Sequence, residues 1–239
     1  MITSTPTKNS GFITGIYGEN NTYKAIAGAD LTQDSFYAMF DLCEELNVDK
    51  LYISHLVYSG RGQDNLEIDI SKEQRKEYVE FIIDKAFEYY KNGNNIDLVT
   101  GNMEMDAIML LNRFKKEYPE FVETLEKKLK AWGGNSAGYR LGNMDWAGNV
   151  KPDPFFPFIV GNYLQTPFDE VWTSTKNDIL NKLREHPRQI KGKCAQCKYI
   201  EICNGGSRSR AFAISGDLWE EDPSCYLTNE EIRREKWNY

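Results

Sequence analysis

Long apolar runs and an excess of positive charge are missing from this sequence, and each absence argues against a class of protein. No run approaches the ~20 apolar residues that a membrane span requires. The formal net charge is −7, which does not favour general binding to DNA or RNA. The N-terminus has no basic start followed by an apolar run, so no secretory signal peptide is predicted. These features predict a cytoplasmic protein that binds neither nucleic acid nor membrane.

Cysteine is scarce over most of the chain, and where it is present it is clustered. Of the five cysteines, only Cys43 lies in the first half, whereas Cys194, Cys197, Cys203 and Cys225 lie close together near the C-terminus. Their pattern is Cys-x2-Cys-x5-Cys-x21-Cys. Because a cytoplasmic chain keeps its thiols reduced, this clustering indicates metal ligands rather than disulfides.

The spacing of these cysteines leaves three alternatives open. Four thiolates suit either zinc or an iron–sulfur cluster. Zinc sites more often carry two Cys-x2-Cys pairs, and here the second pair is missing. The longer gap between Cys197 and Cys203 gives the chain room to pass around a cube-shaped cluster, which favours [4Fe–4S]. In the third alternative the four residues are unrelated buried cysteines.

Upstream of the cysteines, apolar periodicity predicts alternating helices and strands. Helices are predicted at 32–46, at 72–91 behind a capping box of Ser71 and Gln74, and at 104–131 with a break at Pro119; strands are predicted at 49–57 and 96–102. This order indicates parallel β/α units with right-handed crossovers. Two or three such units make part of a β/α layer, because a closed eight-unit barrel needs ~250 residues.

The composition changes near residue 134, where a domain boundary is predicted. Prolines, aromatic residues and Gly-Asn pairs then predict a short hairpin, followed by a helix over 166–186. Three segments are therefore expected. Residues 1–28 contain only a weak strand candidate at 11–17, residues 29–134 form a partial β/α barrel, and residues 135–239 form a cysteine-rich domain.

Several stretches resemble a known family. The segment CAQCKYIEICNGGSRSRAFAISGDLWEEDPSC resembles the SPASM region of radical SAM enzymes. SHLVYSGRG, LVTGN, GGNSAG and DWAGNVKPDPFF resemble the NirJ-like and AhbC-like branch, which modifies sirohaem-derived tetrapyrroles. The resemblance runs from about Leu31 to about Glu231. It implies an α/β fold, in which the second half of a radical SAM β/α barrel is followed by a small SPASM-type auxiliary iron–sulfur domain.

The resemblance also implies a ligand set. Cys194, Cys197, Cys203 and Cys225 would bind one auxiliary [4Fe–4S] cluster. A second auxiliary cluster, present in full SPASM domains, is not expected. Ser207 stands at the position of one of its cysteines, and Asp153, reached from Gly148, stands at that of another.

The front of the family's barrel has no counterpart here. Radical SAM enzymes bind their SAM-cleaving cluster through Cys-x3-Cys-x2-Cys, and the only upstream cysteine here, Cys43, lies on the apolar face of a predicted helix. S-adenosylmethionine and a further [4Fe–4S] cluster are thus expected only in the full-length family enzyme. The chain is expected to be a fragment, a mis-started gene model or a degenerate paralogue that does not cleave SAM by itself.

The sequence leaves two hypotheses about function, which come from different classes. The first is the C-terminal portion of a haem-biosynthesis enzyme, a didecarboxysiroheme deacetylase or, next, a NirJ-like enzyme, with a sirohaem-derived tetrapyrrole and an electron-donor protein as partners. The second is a non-catalytic iron–sulfur or zinc-binding module that pairs with a partner supplying the missing half barrel.

Outside the cysteines, His55 and Arg61 are the candidate catalytic residues. His55 lies near the C-terminal end of a predicted strand, where it could contact substrate, bind iron or act as an acid, or else pack with both ring nitrogens satisfied. Arg61, in the following loop, could bind a carboxylate or form a surface pair. Asn102 is a weaker candidate on the same logic. Asp153 is interpreted as part of a turn, and His186 as a solvated helix end.

Overall fold

The computed structural model describes residues 15–19, 22–27 and 33–233, which fall into two compact units. The first unit contains the described residues up to Leu56 together with Asn65–Asp106. The second contains Val57–Asp64 and the described residues from Ala107 onward. The domain boundary near residue 134 stays a prediction. In the described part of the chain, no helix combines the length and apolar character that crossing a membrane requires.

The first unit is built on a four-stranded sheet with helices between its parallel strands. Its elements are β1 (Gly15–Glu19), β2 (Thr22–Ala27), α1 (Gln33–Glu45), β3 (Lys50–Ser54), α2 (Lys72–Asn92) and β4 (Asp97–Gly101). The strand order is β1-β2-β3-β4, in which β1 is antiparallel to β2 and the other neighbours are parallel. The predicted strand at 11–17 is described only from residue 15, where β1 begins; its earlier residues lie outside the described part. The predicted β/α alternation is confirmed.

Local signals place the helix ends where the sequence predicts them. Ser71 accepts a hydrogen bond from the Gln74 backbone N–H, and the Gln74 side chain accepts one from the Ser71 N–H, so the capping box is present. Gly93 ends α2 in the left-handed conformation that glycine adopts without a steric penalty. Each end is determined by residues within one helical turn.

The core of the first unit confirms the interpretation of Cys43. Its side chain is 1% exposed and packs with Phe36, Phe40 and Leu51 between α1 and the sheet. Burial raises the pKa of the Cys43 thiol to about 11, with a smaller contribution from Glu44. A neutral, enclosed thiol of this kind behaves as a small apolar side chain.

The second unit consists of short elements joined by long loops. Its helices and strands are α3 (Asp106–Glu117, which begins on the last residue of the first unit), α4 (Val122–Trp132), β5 (Asn143–Met144), β6 (Asn149–Lys151), β7 (Gly161–Asn162), α5 (Phe168–Thr173), α6 (Asp178–Arg184), α7 (Ile200–Cys203), α8 (Arg208–Ser215) and α9 (Asn229–Ile232). The last three strands form an antiparallel sheet in the order β5-β6-β7.

One helix prediction in this unit is wrong. The single helix expected over 166–186 is two helices, α5 and α6, and the chain leaves the helical conformation at Ser174 between them. The run Thr173-Ser174-Thr175 has weak helix propensity, and Asn177 starts a new helix by accepting a hydrogen bond from the Leu180 backbone N–H. The break predicted at Pro119 is present, as a 3₁₀ turn between α3 and α4.

Candidate metal centre

The four clustered cysteines lie on three segments of the second unit. Cys194 lies in a 3₁₀ turn, Gly192–Gln196, and Cys197 directly follows it. Cys203 is the last residue of α7. Cys225 lies in a turn, and its backbone N–H donates to the carbonyl oxygen of Asp222. All four side chains are buried, and none is in a disulfide.

The thiols lie near enough to influence one another's ionisation. Burial raises the pKa of Cys194 to about 12, and the neighbouring Cys225 and Cys197 contribute in the same direction. Burial likewise raises the pKa of Cys203 well above its usual range, with contributions from the other three thiols. Four thiolates cannot form together in this enclosure without a compensating positive centre, because burial and mutual repulsion both oppose ionisation. The enclosure therefore suits ligands that ionise only when a metal binds.

Three of the four sulfur atoms receive a backbone N–H from the residue two positions further along the chain. The Tyr199 N–H donates to Cys197 Sγ at 3.4 Å. Backbone N–H groups of Gly205 and Leu227 donate in the same way to the thiols of Cys203 and Cys225, and each lowers the pKa of its thiol against the larger effect of burial. Donors aimed at sulfur stabilise the thiolate form, which is the form that binds metals.

The donor set is sulfur alone, which is the ligand chemistry of zinc or of iron–sulfur clusters. As placed, no three thiol, imidazole or carboxylate side chains among the described residues converge closely enough to hold a single metal ion. The chemistry and burial of the four cysteines fit a sulfur-bound metal group; the identity of that group stays a prediction.

A run of left-handed backbone turns the chain around Cys203, and residue pattern alone did not single it out. Asn204, Gly205 and Gly206 all have positive φ, at 50°, 83° and 68°. A Cβ atom on Gly206 would lie 2.6 Å from Asp222 Oδ2, and one on Gly205 would lie 2.6 Å from the Ile190 side chain. The Asn-Gly-Gly sequence is the signal that could have revealed this turn.

Gly134 makes the closest approach to a predicted ligand. A Cβ atom there would lie 2.4 Å from the backbone carbonyl carbon of Cys203, and φ is +68°. Gly134→Ala should therefore lower the free energy of unfolding and the iron content. Gly216→Ala is the matched control, since φ is +74° and no atom lies within 4 Å of the added Cβ.

The control should lose about 1–2 kcal/mol from backbone strain. Gly134→Ala should lose about 1–3 kcal/mol more from overlap with the Cys203 backbone. Urea denaturation measures both values. Equal losses in the two variants would mean that the close approach at Gly134 has no energetic consequence.

Asp222 holds the segments around the cysteines together. Its carboxylate accepts two hydrogen bonds from Arg210, with Nη2 to Oδ2 at 2.8 Å, and both side chains are almost fully buried. The same carboxylate accepts the backbone N–H groups of Ser207 and Ser224. Burial alone would raise the pKa of Asp222, but Arg210 and the other donors outweigh it and hold that pKa below its usual range.

Two further arginines are fully buried in this unit. Arg208 donates to the carbonyls of Leu218 at 2.8 Å and Glu220 at 2.5 Å, and also to that of Gly205. Its charge lowers the pKa of Cys194 against the dominant effect of burial. Arg188 donates to the carbonyls of Leu183 and Ala137, among others. Sequence reasoning missed all three buried arginines, because their acceptors are mostly loop carbonyls that leave no residue pattern.

His55, in the first unit, has both ring nitrogens engaged. Nε2 lies 2.9 Å from Asp106 Oδ2, and Nδ1 lies 3.0 Å from Arg75 Nη1. Because a guanidinium can only donate, Nδ1 accepts, and the ring hydrogen on Nε2 is directed at Asp106. Arg75 Nη2 in turn donates to both carboxylate oxygens of Asp69, each at 2.8 Å. Of the alternatives for His55, this arrangement favours the packed histidine over an iron ligand or a substrate acid.

The cavity beside His55 is small, at about 40 Å³, and it is also lined by Asp69 and Arg75. Such a volume accommodates a few water molecules but not a tetrapyrrole. Asn102 follows β4 with a φ of +61°, and its side-chain amide donates to Ser54 Oγ at 2.6 Å. It therefore joins the ends of the two parallel strands β3 and β4.

Arg61 lies in an exposed 3₁₀ turn, Gly60–Gly62, within the segment Val57–Asp64 of the second unit. That segment is tied to the cysteine region by a 2.8 Å hydrogen bond between the hydroxyls of Tyr58 and Ser224, the residue before Cys225. His55 and Arg61 belong to different units.

The remaining sequence candidates have local roles. Asp153 accepts the Phe155 backbone N–H at 2.7 Å, as expected for a turn, and burial raises its pKa. Ser207 caps α8 by accepting the Arg210 backbone N–H. His186 is exposed just beyond α6. These contacts agree with the interpretations of Asp153 as a turn residue and His186 as a residue at a helix end.

Comparison with known proteins relates the chain to enzymes of haem synthesis. No family model matches it. It is 41% identical to pre-heme d1 synthase of Dinoroseobacter shibae over 196 residues, which cover 81% of this chain and 48% of that protein. It is 35% identical to Fe-coproporphyrin III synthase of Methanosarcina barkeri, covering 82% of this chain and 50% of that protein. The chain thus spans about half the length of the curated relatives it matches.

The fold has counterparts among solved structures. Streptococcus suis SuiB bound to S-adenosylmethionine superimposes with a TM-score of 0.56 at 18% identity, over 85% of this chain and 45% of that one. The resemblance to part of a radical SAM tetrapyrrole-modifying enzyme is confirmed, as is the fold class of a partial radical SAM β/α barrel with a SPASM-type domain. The relatives' names differ from the deacetylase that the sequence placed first.

Proposed function

We propose that this chain forms the auxiliary-cluster part of a radical SAM enzyme that alters side chains of a sirohaem-derived tetrapyrrole. Cys194, Cys197, Cys203 and Cys225 would bind one [4Fe–4S] cluster. The observation that carries the proposal is the set of four buried thiols, three of which receive a backbone N–H from the residue two positions on. Buried sulfur ligands with such donors match the known determinants of iron–sulfur sites.

The spacing of the cysteines along the chain favours a cube-shaped cluster over a single ion. A single zinc needs its four sulfur atoms within bonding distance of one point. A [4Fe–4S] group has an iron atom for each sulfur, so its ligands surround it at wider separations. The gap between Cys197 and Cys203 gives the chain room to pass around such a group, and the thiols lie near enough to influence one another's ionisation, which supports a cluster.

The relatives' names support the choice of substrate class and reorder the two candidates. The chain is more similar in sequence to pre-heme d1 synthase than to Fe-coproporphyrin III synthase, and neither relative is named as a deacetylase. We therefore rank a NirJ-like reaction above the deacetylase. The substrates of this branch carry carboxylate side chains, and Arg61, exposed in its loop, could bind one bidentately. When bound, the cluster would supply one-electron chemistry. The chain's own residues would hold that cluster, exclude water from it and orient substrate.

The whole reaction needs more than this part supplies. S-adenosylmethionine and its own cluster would bind to the half barrel that carries Cys-x3-Cys-x2-Cys in the family, and an electron-donor protein would be required. A reducing compartment such as the cytoplasm would keep the four thiols available for metal.

The second candidate is a non-catalytic iron–sulfur or zinc-binding module that pairs with a partner carrying the other half barrel. The observation in its favour is that the sequence contains no Cys-x3-Cys-x2-Cys. Among the described strands, the edge of β2 away from β3 is paired with β1, so an added strand would have to pair with β1 or replace it.

Metal and sulfide analysis of the anaerobically purified chain tests the proposal. About four irons and four sulfides per chain, with a visible band that bleaches on reduction, would support the auxiliary cluster. One tightly bound zinc without sulfide would overturn it in favour of the zinc-binding module.

A further inference from the structure

Lys193 lies against the turn that carries Cys225. Its ammonium donates to the carbonyl oxygen of Cys225 at 3.0 Å and to that of Leu227 at 3.3 Å. Its own backbone N–H donates to Glu221 Oε2 at 2.6 Å. Lys193 also directly precedes Cys194. Lys193 therefore joins the first and the last of the three cysteine-bearing segments.

The charge of Lys193 acts on the cysteine site as well as holding its backbone. The ammonium lowers the pKa of the Cys225 thiol, mainly through its charge, against the larger effect of burial. The other charged groups acting at this end of the site are Asp222 and Glu221, which are anionic, and Arg208, which is buried and cationic. Among the described residues, Lys193 is a cation that acts on Cys225, and Arg208 is one that acts on Cys194.

We propose that Lys193 is a positioning residue for the cysteine-bound cluster, and that its ammonium raises the cluster's reduction potential. The inference rests on the proposed function, since it requires an iron–sulfur group at the four cysteines. A cluster bound by four thiolates is anionic, and reduction adds a further negative charge. A fixed cation beside one ligand stabilises the reduced state more than the oxidised state.

The structural role of Lys193 and the effect of its charge can be tested separately. Carbonyl contacts to Cys225 and Leu227 would hold the turn in place whether or not the donor is charged. The effect on potential requires the charge itself. Lys193→Gln keeps a donor without the charge, Lys193→Met removes both, and Lys193→Arg keeps both.

Lys198 provides the matched control. It directly follows Cys197, so it is as close in sequence to a predicted ligand as Lys193 is. Its ammonium, however, lies 5.1 Å from the centre of the Tyr199 ring and is exposed. Lys198→Met removes an equal charge from a place where solvent screens it.

The test is a dithionite titration of the anaerobically reconstituted chain, with iron and sulfide content measured first. We expect Lys193→Met and Lys193→Gln to move the midpoint potential in the negative direction. Lys193→Arg and Lys198→Met should stay at the wild-type value. Loss of iron to a chelator should be several-fold faster in Lys193→Met than in Lys193→Gln, because only the glutamine keeps a donor to the turn.

Two results would overturn the inference while leaving the proposed function standing. One is a wild-type potential in Lys193→Gln with a full complement of iron. The other is an equal shift in Lys198→Met, which would indicate a general effect of net charge. Absence of iron and sulfide from the wild-type chain itself would instead overturn the proposed function, and the inference with it.

Discussion

Replacing Cys197 with alanine should abolish most of the iron bound by the chain. Its sulfur receives the Tyr199 backbone N–H, and it lies in the Cys-x2-Cys pair that begins the site. Removing one of four thiolates leaves a cluster iron open to solvent and to loss. We expect iron and sulfide to fall together, by more than half, in the anaerobically purified variant.

Cys43→Ala is the matched control for that experiment, because Cys43 is the one cysteine of the chain outside the predicted ligand set. It is buried in the core of the first unit, so its replacement removes a thiol without touching the predicted site. The control should keep its iron. Unchanged iron in Cys197→Ala, or an equal loss in both variants, would remove the cluster from the proposed function.

Replacing Asp222 with asparagine should cost about 3–5 kcal/mol of the free energy of unfolding, the usual consequence of breaking a buried ion pair. The asparagine would leave the guanidinium of Arg210 buried without its counter-charge. It would also weaken acceptance of the Ser207 and Ser224 backbone N–H groups. Because Ser224 directly precedes Cys225, we expect iron content to fall as well. Urea denaturation at neutral pH measures the loss of stability.

Asp217→Asn is the control for this prediction. Asp217 also pairs with a cation, Lys191 at 2.5 Å, but that pair lies at the surface. Exposed pairs contribute roughly 0–1 kcal/mol, so the control should lose little stability. Similar losses of unfolding free energy in the two variants would show that burial of the Asp222–Arg210 pair adds nothing to stability.

The same carboxylate predicts a pH dependence with a definite sign. The pKa of Asp222 is lower in the folded chain than in the unfolded chain, where an aspartate titrates near about 3.9. Its contribution is therefore complete above about pH 5 and is lost as pH falls through the folded-state pKa. The gap in free energy of unfolding between wild type and Asp222→Asn should be constant from neutral pH to about pH 5 and narrow below about pH 4. A gap that widens on acidification would contradict the ion pair.

Sequence pattern was reliable where a structure depends on neighbours along the chain. The capping box at Ser71, the glycine cap at Gly93 and the break at Pro119 are all present, because each involves residues within a few positions of one another. The helix expected over 166–186 was wrong, because the break near Ser174 depends on weak propensities and a new cap at Asn177, which periodicity does not register.

The candidate site was predictable only in part. The four cysteines stand out because their spacing is itself a local pattern. The sequence could not say that His55 is held between Asp106 and Arg75, since these partners lie 51 and 20 positions away. The sequence left several roles open for His55. Its contacts with Asp106 and Arg75 favour the role of a packed histidine.

Composition and spacing alone determine that the chain has a β/α part, a cysteine cluster and little cysteine elsewhere, because these are properties of residue order. Tertiary structure alone decides which polar groups become buried and with which partners. Arg210 and Asp222 are 12 positions apart and look like ordinary surface residues in the sequence. Folding removes both side chains from water, and a buried charge is stable only when it is paired with an opposite charge. The surroundings of the cysteines depend on such pairs, which arise from the path of the backbone in space.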